Sequence, residues 1–171
     1  MIKTAMILDD EAPVVSSLRR LLKRHGWHVV TYTDPVEAFN HLRYSFVPVI
    51  ITDFNMPRLN GTQFLQLVEK IQPATYKIML SAHAERGDIV KTLSSAGIHR
   101  FMSKPWDNNL LMEEMDAGLE YFRLQLKAEY EQNKAILNAD DFKAWYDDLL
   151  LRMQSTGSQR QRDKEAWLGI G

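Results

Sequence analysis

The sequence predicts an α/β protein built on a doubly wound parallel sheet. Short apolar, β-rich runs alternate five times with stretches of helical periodicity, and the connections between them are short. That alternation implies right-handed crossovers with helices on both faces of the sheet. Acidic residues also stand at the ends of the first and third runs, where open parallel sheets gather their chemistry.

Residues 4–8 form the first strand. Residues 12–25 then place Val14, Val15, Leu18, Leu21 and Leu22 at helical spacing and stop at Gly26, a good helix terminator. Residues 27–32 read as the second strand. Asp34-Pro35 opens a helix as N-cap and first-turn proline, with Val36, Phe39 and Leu42 expected to point inward. Residues 49–52 are the third strand, and their continuous apolar character predicts burial on both faces. The loop Asn55-Met56-Pro57-Arg58-Leu59-Asn60-Gly61 leads into a helix carrying Phe64, Leu65, Val68 and Ile71, ended by Pro73. Residues 77–80 make the fourth strand, 86–96 a fourth helix stopped by Gly97, and 98–102 the fifth strand. A long helix begins near Asp107.

Composition narrows the function classes. The 171 residues suffice for one full domain plus an appendage. A formal net charge of -1 supplies no basic field for nucleic acid or an anionic membrane. The absence of cysteine excludes disulfides, thiolate metal sites and a cysteine nucleophile. No apolar run approaches the roughly 20 residues of a membrane helix, and the N-terminal apolar stretch is interrupted at Asp9. The expectation is a cytoplasmic protein with no membrane and no nucleic-acid contact.

The strand ends supply Asp9 and Asp10, Asp53, Ser81-Ala82, and Lys104-Pro105. Three converging carboxylates repel one another unless a divalent cation joins them, and hard oxygen ligands on a loose cluster suit Mg²⁺. Asp9 and Asp10 would hold the metal, leaving Asp53 to attack a phosphoryl group as a carboxylate nucleophile. Lys104 would neutralise the transferring oxygens, and Ser81 would donate a hydrogen bond to one of them.

Asp9-Asp10-Glu11, Asp53 followed by Met56-Pro57 and Gly61, Ser81-Ala82 and Lys104-Pro105 resemble the receiver domain of two-component response regulators, over residues 3 to 124. The resemblance implies a flavodoxin-like (βα)5 fold with strand order 2-1-3-4-5. It makes Asp53 the phosphoacceptor, Asp9 and Asp10 the acid pair for Mg²⁺, and Asn55 the residue whose backbone carbonyl completes the metal shell. It makes Ser81 the switch hydroxyl, Lys104 the phosphate-contacting lysine and Phe101 the switch aromatic, and it implies a cis Lys104–Pro105 bond. Ser81 stands where threonine is frequent and keeps the hydroxyl. Phe101 replaces the frequent tyrosine and loses a phenol hydrogen bond. His83 and Asn55 flank the path of an attacking water and are expected to tune dephosphorylation.

The division expected is 1–124 as the receiver and 125–171 as a helical extension with a flexible tail. Met112, Met115, Leu119, Phe122 and Leu126 form a short coiled-coil-like seam. Its first part would cover the sheet; from Phe122 onward the expectation is a self or partner contact. Asn138 reads as a new N-cap, before an apolar stripe of Phe142, Trp145, Leu149, Leu150 and Met153 that must pack on the first helix, a twin subunit or a target. Residues 122–153 are thus the candidate surface for a homodimer or protein target. Residues 155–162 read as a polar linker, with Trp167, Leu168 and Ile170 as a short anchoring tail. Trp106 packs at the start of the long helix or serves a partner.

Residues 127–171 hold seven basic and eight acidic residues, unlike a DNA reader. The leading function is therefore a receiver that takes phosphate on Asp53 from a histidine kinase or phosphotransfer protein and switches a contact surface. The alternatives are a receiver belonging to a larger signalling enzyme such as an HD-type phosphohydrolase fusion, or a stand-alone phosphate shuttle. A dehalogenase-type phosphohydrolase would want a second carboxylate where Asn55 stands.

Overall fold

The structure is a computed structural model that describes residues 3–82, 97–153 and 161–170. Its strands are β1 (Thr4–Leu8), β2 (His28–Tyr32), β3 (Val49–Asp53), β4 (Tyr76–Ser81) and β5 (Arg100–Ser103). Its helices are α1 (Ala12–Arg24), α2 (Pro35–Tyr44), α3 (Gly61–Ile71), α4 (Asn108–Ile136), α5 (Ala139–Arg152) and α6 (Gln161–Leu168). All strands are parallel, as the alternation predicts, and they stand in the order β2-β1-β3-β4-β5 that the receiver resemblance implies. The fourth helix expected over 86–96 lies outside the described residues. The fifth strand begins two residues later than expected: the His99 amide donates to the Lys77 carbonyl at 2.9 Å, but the Lys77 amide donates to the His99 ring at 2.9 Å, and the ladder first pairs Arg100 with Ile78.

Strand alternation builds two cores. Ala5, Ile7, Val49, Ile51, Ile78 and Leu80 face α1 and α4, meeting Leu18, Leu22, Leu111 and Met115. Met6, Leu8, Ile50 and Met79 face α2 and α3, meeting Leu42, Phe64, Leu65 and Val68. Every residue of β3 is buried, as its apolar run requires. Trp106 joins the first core, and its indole N–H donates to Asn108 at 3.0 Å.

The helix ends follow local chemistry. Asp34 accepts from the Val36 amide at 2.9 Å, and Asp107 from Leu110 at 2.9 Å. Asn60 and Gln63 form a reciprocal capping box. Gly26 takes φ +82 after α1, a conformation that favours glycine. Val36 is a correction: it is 58% exposed, because the buried face of α2 runs through Pro35, Ala38 and Leu42.

A third core corrects the expectation for the seam beyond the sheet. Phe122 and Leu126 of α4 are buried with Leu149, Met153 and Leu168 against Phe46 and Ala74, which lie in the loops before β3 and β4. Phe122 meets Phe46 edge-on at 5.8 Å and Trp167 at 6.4 Å. The chain therefore covers these residues itself, and the stripe of α5 packs on α4, with Tyr130 beside Phe142, Trp145 and Tyr146. Asn138 caps α5 by accepting from Asp141 at 2.9 Å. The tail does anchor, with Leu168 fully buried, but Gln161 and Arg162 belong to α6 and not to a linker. Arg152 lies over the Phe46 ring at 4.2 Å, and its carbonyl accepts from the Phe46 amide at 2.9 Å.

Beneath the sheet, Gln72 donates to the carbonyls of Leu42 and Ser45, both at 2.6 Å, and Thr75 donates to the Val47 carbonyl at 2.9 Å. Lys77 is fully buried, paired with Glu69 at 2.6 Å and donating to the Thr75 carbonyl at 2.8 Å. A buried cation needs such partners; burial nevertheless lowers the Lys77 pKa, against the opposing pull of Glu69.

Candidate functional site

The site forms because parallel strands end together. β1, β3, β4 and β5 deliver their following residues to one edge of the sheet, and the short loops hold them there. Asp9 follows β1, with its amide donating to the Tyr32 carbonyl at 3.3 Å and its carboxylate accepting from the Glu11 amide at 2.8 Å. Asp53 is the last residue of β3. The Phe54 amide donates to Leu80 at 3.1 Å and so pins that end to β4.

Asp9, Asp10 and Asp53 each present a carboxylate oxygen within 4.8 Å of the others, with Asp9 and Asp53 buried and Asp10 exposed. Lys104 stands between them: its ammonium is 3.0 Å from Asp9, 3.0 Å from Asp53 and 3.8 Å from Glu11. Burial is the largest influence on Asp53 and raises its pKa; Lys104 opposes this and Asp9 adds to it. For Lys104, burial pulls downward, but the hydrogen bonds to Asp9 and Asp53 win and the pKa is raised. One cation thus serves two buried carboxylates, a charge imbalance that suits a divalent ion.

Ser81 is buried at the end of β4, and its carbonyl accepts from the Lys104 amide at 2.8 Å. The Lys104–Pro105 peptide is cis. Phe101 is half-buried on β5 and packs on the core formed with α2 and α3. Asn55 is exposed in the loop directly after β3. His83 lies outside the described residues.

Sequence reasoning missed two features. Gly61 approaches the end of β3 so closely that an added Cβ would overlap the Asp53 carbonyl oxygen, and it would lie 3.2 Å from the Met79 methyl. The second is a cavity of about 190 Å³ beside Asp10, lined by Thr33, Asp34, Pro35, Met56, Pro57 and Arg58. Asp34 therefore does more than cap: it lines this cavity and faces Arg58 at 3.9 Å. The signal was available, because the loops after the second and third strands must open at the same sheet edge as Asp10.

An open sheet of this order, with acidic groups gathered outside the ends of β1 and β3, defines the flavodoxin-like class at its switch point. Residues 5–116 match the family described as the response regulator receiver domain, and the chain belongs to that family. It is 31% identical over 126 residues to the hydrogenase transcriptional regulatory protein HoxA of Bradyrhizobium diazoefficiens, covering 74% of this chain and 26% of that protein. The chain thus spans about a quarter of the length of this curated relative. A solved structure of an uncharacterized protein from Neptuniibacter caesariensis is 32% identical with TM-score 0.68, covering 72% of this chain and 92% of that one. The beryllofluoride-activated NtrC4 receiver domain dimer is 26% identical with TM-score 0.66, covering 71% of this chain and 99% of that one. Among the described residues no helix is long and apolar enough to cross a membrane.

Proposed function

We propose that this receiver accepts a phosphoryl group on Asp53 from a histidine kinase or phosphotransfer protein and uses it to switch a contact surface. The observation that carries this reading is the buried Asp53 carboxylate, 3.0 Å from Lys104 and grouped with Asp9 and Asp10. A carboxylate oxygen of Asp53 attacks phosphorus while the P–N bond of a phosphohistidine breaks and the imidazole nitrogen leaves with the electron pair. The product is an acyl phosphate. Mg²⁺, held by Asp9, Asp10, Asp53 and the backbone carbonyl of Asn55, would supply charge neutralisation of the phosphoryl oxygens. The excess of buried carboxylate over cation favours that ion. Lys104 gives up part of its contact with Asp53 to meet the new oxygens, and Ser81 donates its hydroxyl to one of them.

Ser81 and Phe101 then shift together and remodel the surface around β5 and the start of α4. Residues 1–124 act as the receiver, and 125–171 as a helical extension that this change biases. Asn55 and His83 tune hydrolysis of the acyl phosphate. No phosphohydrolase activity toward external esters is expected, since Asn55 occupies the position a second carboxylate would need. Chain coverage of 26% against HoxA favours a receiver working within a longer regulator over a free shuttle. HoxA is named as a transcriptional regulator, so the composition of this chain does not speak for nucleic-acid contacts made elsewhere in such a protein.

The test is intact-mass measurement after treatment with acetyl phosphate and Mg²⁺. Native protein should gain one phosphoryl group and Asp53→Ala protein none; equal labelling of both would refute the assignment.

A further inference from the structure

The cavity beside Asp10 is small, and its lining is selective. Its volume of about 190 Å³ falls below the roughly 300–1,000 Å³ of ordinary ligand pockets, so an occupant has few atoms. Pro35, Met56 and Pro57 give it apolar walls, and Asp10, Asp34 and Arg58 supply the charged ones.

The two carboxylates are already committed. Asp34 caps α2 through one oxygen, accepting from the Val36 amide at 2.9 Å, and turns the other toward Arg58. Asp10 belongs to the carboxylate cluster at Asp53. Arg58 is the uncommitted group: its side chain is 80% exposed, and among the described residues its one partner is Asp34, at 3.9 Å. That separation is too long for a hydrogen bond, so the planar fork of donors stays open to a carboxylate, which it fits with two parallel bonds. The occupant matched to these walls is a short apolar chain ending in a carboxylate.

Asp10 is also the wall that this cavity shares with the phosphoacceptor. It has a carboxylate oxygen within 4.8 Å of one on Asp53, and it is the exposed member of the cluster, so the way out from buried Asp53 passes it. A small donor with its phosphoryl group at Asp53 can thus lay its leaving group past Asp10 and into the cavity. We propose that the cavity is a leaving-group subsite for acyl phosphates, in which Arg58 receives the departing carboxylate; this rests on Asp53 as the phosphoacceptor. An Asp53 oxygen forms the new O–P bond, the P–O bond to the acyl group breaks, and its electron pair leaves on the acyl oxygen. The acid departs as a carboxylate with no proton moved, and Arg58 offsets the negative charge that gathers beside Asp10 and Asp34. Asp34 is the restraint, holding the guanidinium back until the acyl oxygen competes for it.

Labelling rates of the full chain, read by intact mass over a range of donor concentrations with Mg²⁺, test this. The donors are acetyl, propionyl and butyryl phosphate, with phosphoramidate as the reference because its leaving group is neutral ammonia. Arg58→Gln should lower the ratio of acetyl phosphate to phosphoramidate rates by about tenfold, and Arg58→Lys should recover part of it. Arg43→Gln, which removes the same charge from the exposed last turn of α2, should leave the ratio unchanged. Asp34→Ser keeps a capping oxygen and frees the guanidinium, so it should raise the ratio, and only while Arg58 is present. In native protein each added methylene should raise the rate at low donor concentration by about two- to fourfold, until the cavity is full. A ratio that Arg58→Gln leaves unchanged, or that Arg43→Gln lowers equally, would overturn the subsite, and so would rates indifferent to acyl length. No labelling of native protein by any donor would overturn the phosphoacceptor reading itself, and the subsite with it.

Discussion

Phe122→Ala is the perturbation that most directly weighs the third core. The ring is fully buried, edge-on to Phe46 at 5.8 Å and tilted to Trp167 at 6.4 Å. Removing a buried phenyl costs about 3–5 kcal/mol, through lost transfer free energy and the cavity left behind. Here the lining comes from four separate pieces of chain, namely α5, α6 and the loops holding Phe46 and Ala74. Such a lining can close in part, so about 3–4 kcal/mol is the better figure. With a urea slope of about 2 kcal/mol/M, the midpoint should fall by about 1.5–2 M. Ile136→Ala, at 67% exposure on the same helix, is the internal standard and should change stability by less than about 0.5 kcal/mol. Urea titrations followed by tryptophan fluorescence give both values. A Phe122→Ala midpoint within about 0.3 M of the Ile136→Ala midpoint would refute the reasoning, because the extension would then contribute no packing.

Three further outcomes follow from the site and the sheet. Asp53→Asn should stabilise the metal-free protein at neutral pH. Burial raises the Asp53 pKa from its ordinary 3.8, so the native carboxylate loses stability as pH climbs from there through its folded value. The advantage of Asn should vanish in urea titrations below pH 3.8, and a constant advantage at every pH would contradict it. His99 behaves oppositely: burial, then the charge of Lys77, lowers its pKa from 6.5 to about 4. Stability it supports above pH 6.5 should drain away as pH falls toward about 4, and NMR titration of its ring should find that low midpoint. Gly61→Ala must push apart the start of α3 and the Asp53 carbonyl, and should slow labelling by acetyl phosphate by about tenfold or more. Native stability and labelling rate in that variant would contradict the close approach.

Much of the sheet was legible because each strand end announces itself twice, by its apolar run and by the polar group that follows. Asp9, Asp10, Asp53 and Lys104 were found that way, and they do meet. Val36 misled because the face of a short helix turns with its first residue, and Pro35 with Ala38 set that face. The covering of Phe122 could not be read from periodicity at all. A helical stripe shows only that something must cover it; that Phe46 and Leu168 do so depends on loop geometry and on contacts between residues far apart in sequence. Asp34 was understood as a cap but not as a cavity wall, since the second role depends on Arg58 arriving from another loop.

The Phe46–Arg152 contact puts the extension and the acidic site at opposite ends of one stretch of backbone. Residues 46–53 run from the amide gripped by α5 to the carboxylate beside Lys104, and β3 is buried throughout and hydrogen-bonded on both edges. A strand held this way resists bowing, so a displacement at one end is expected to be carried lengthwise to the other. Amide hydrogen exchange at Phe46 should then differ between native and Asp53→Asn protein, and identical exchange would contradict transmission along β3.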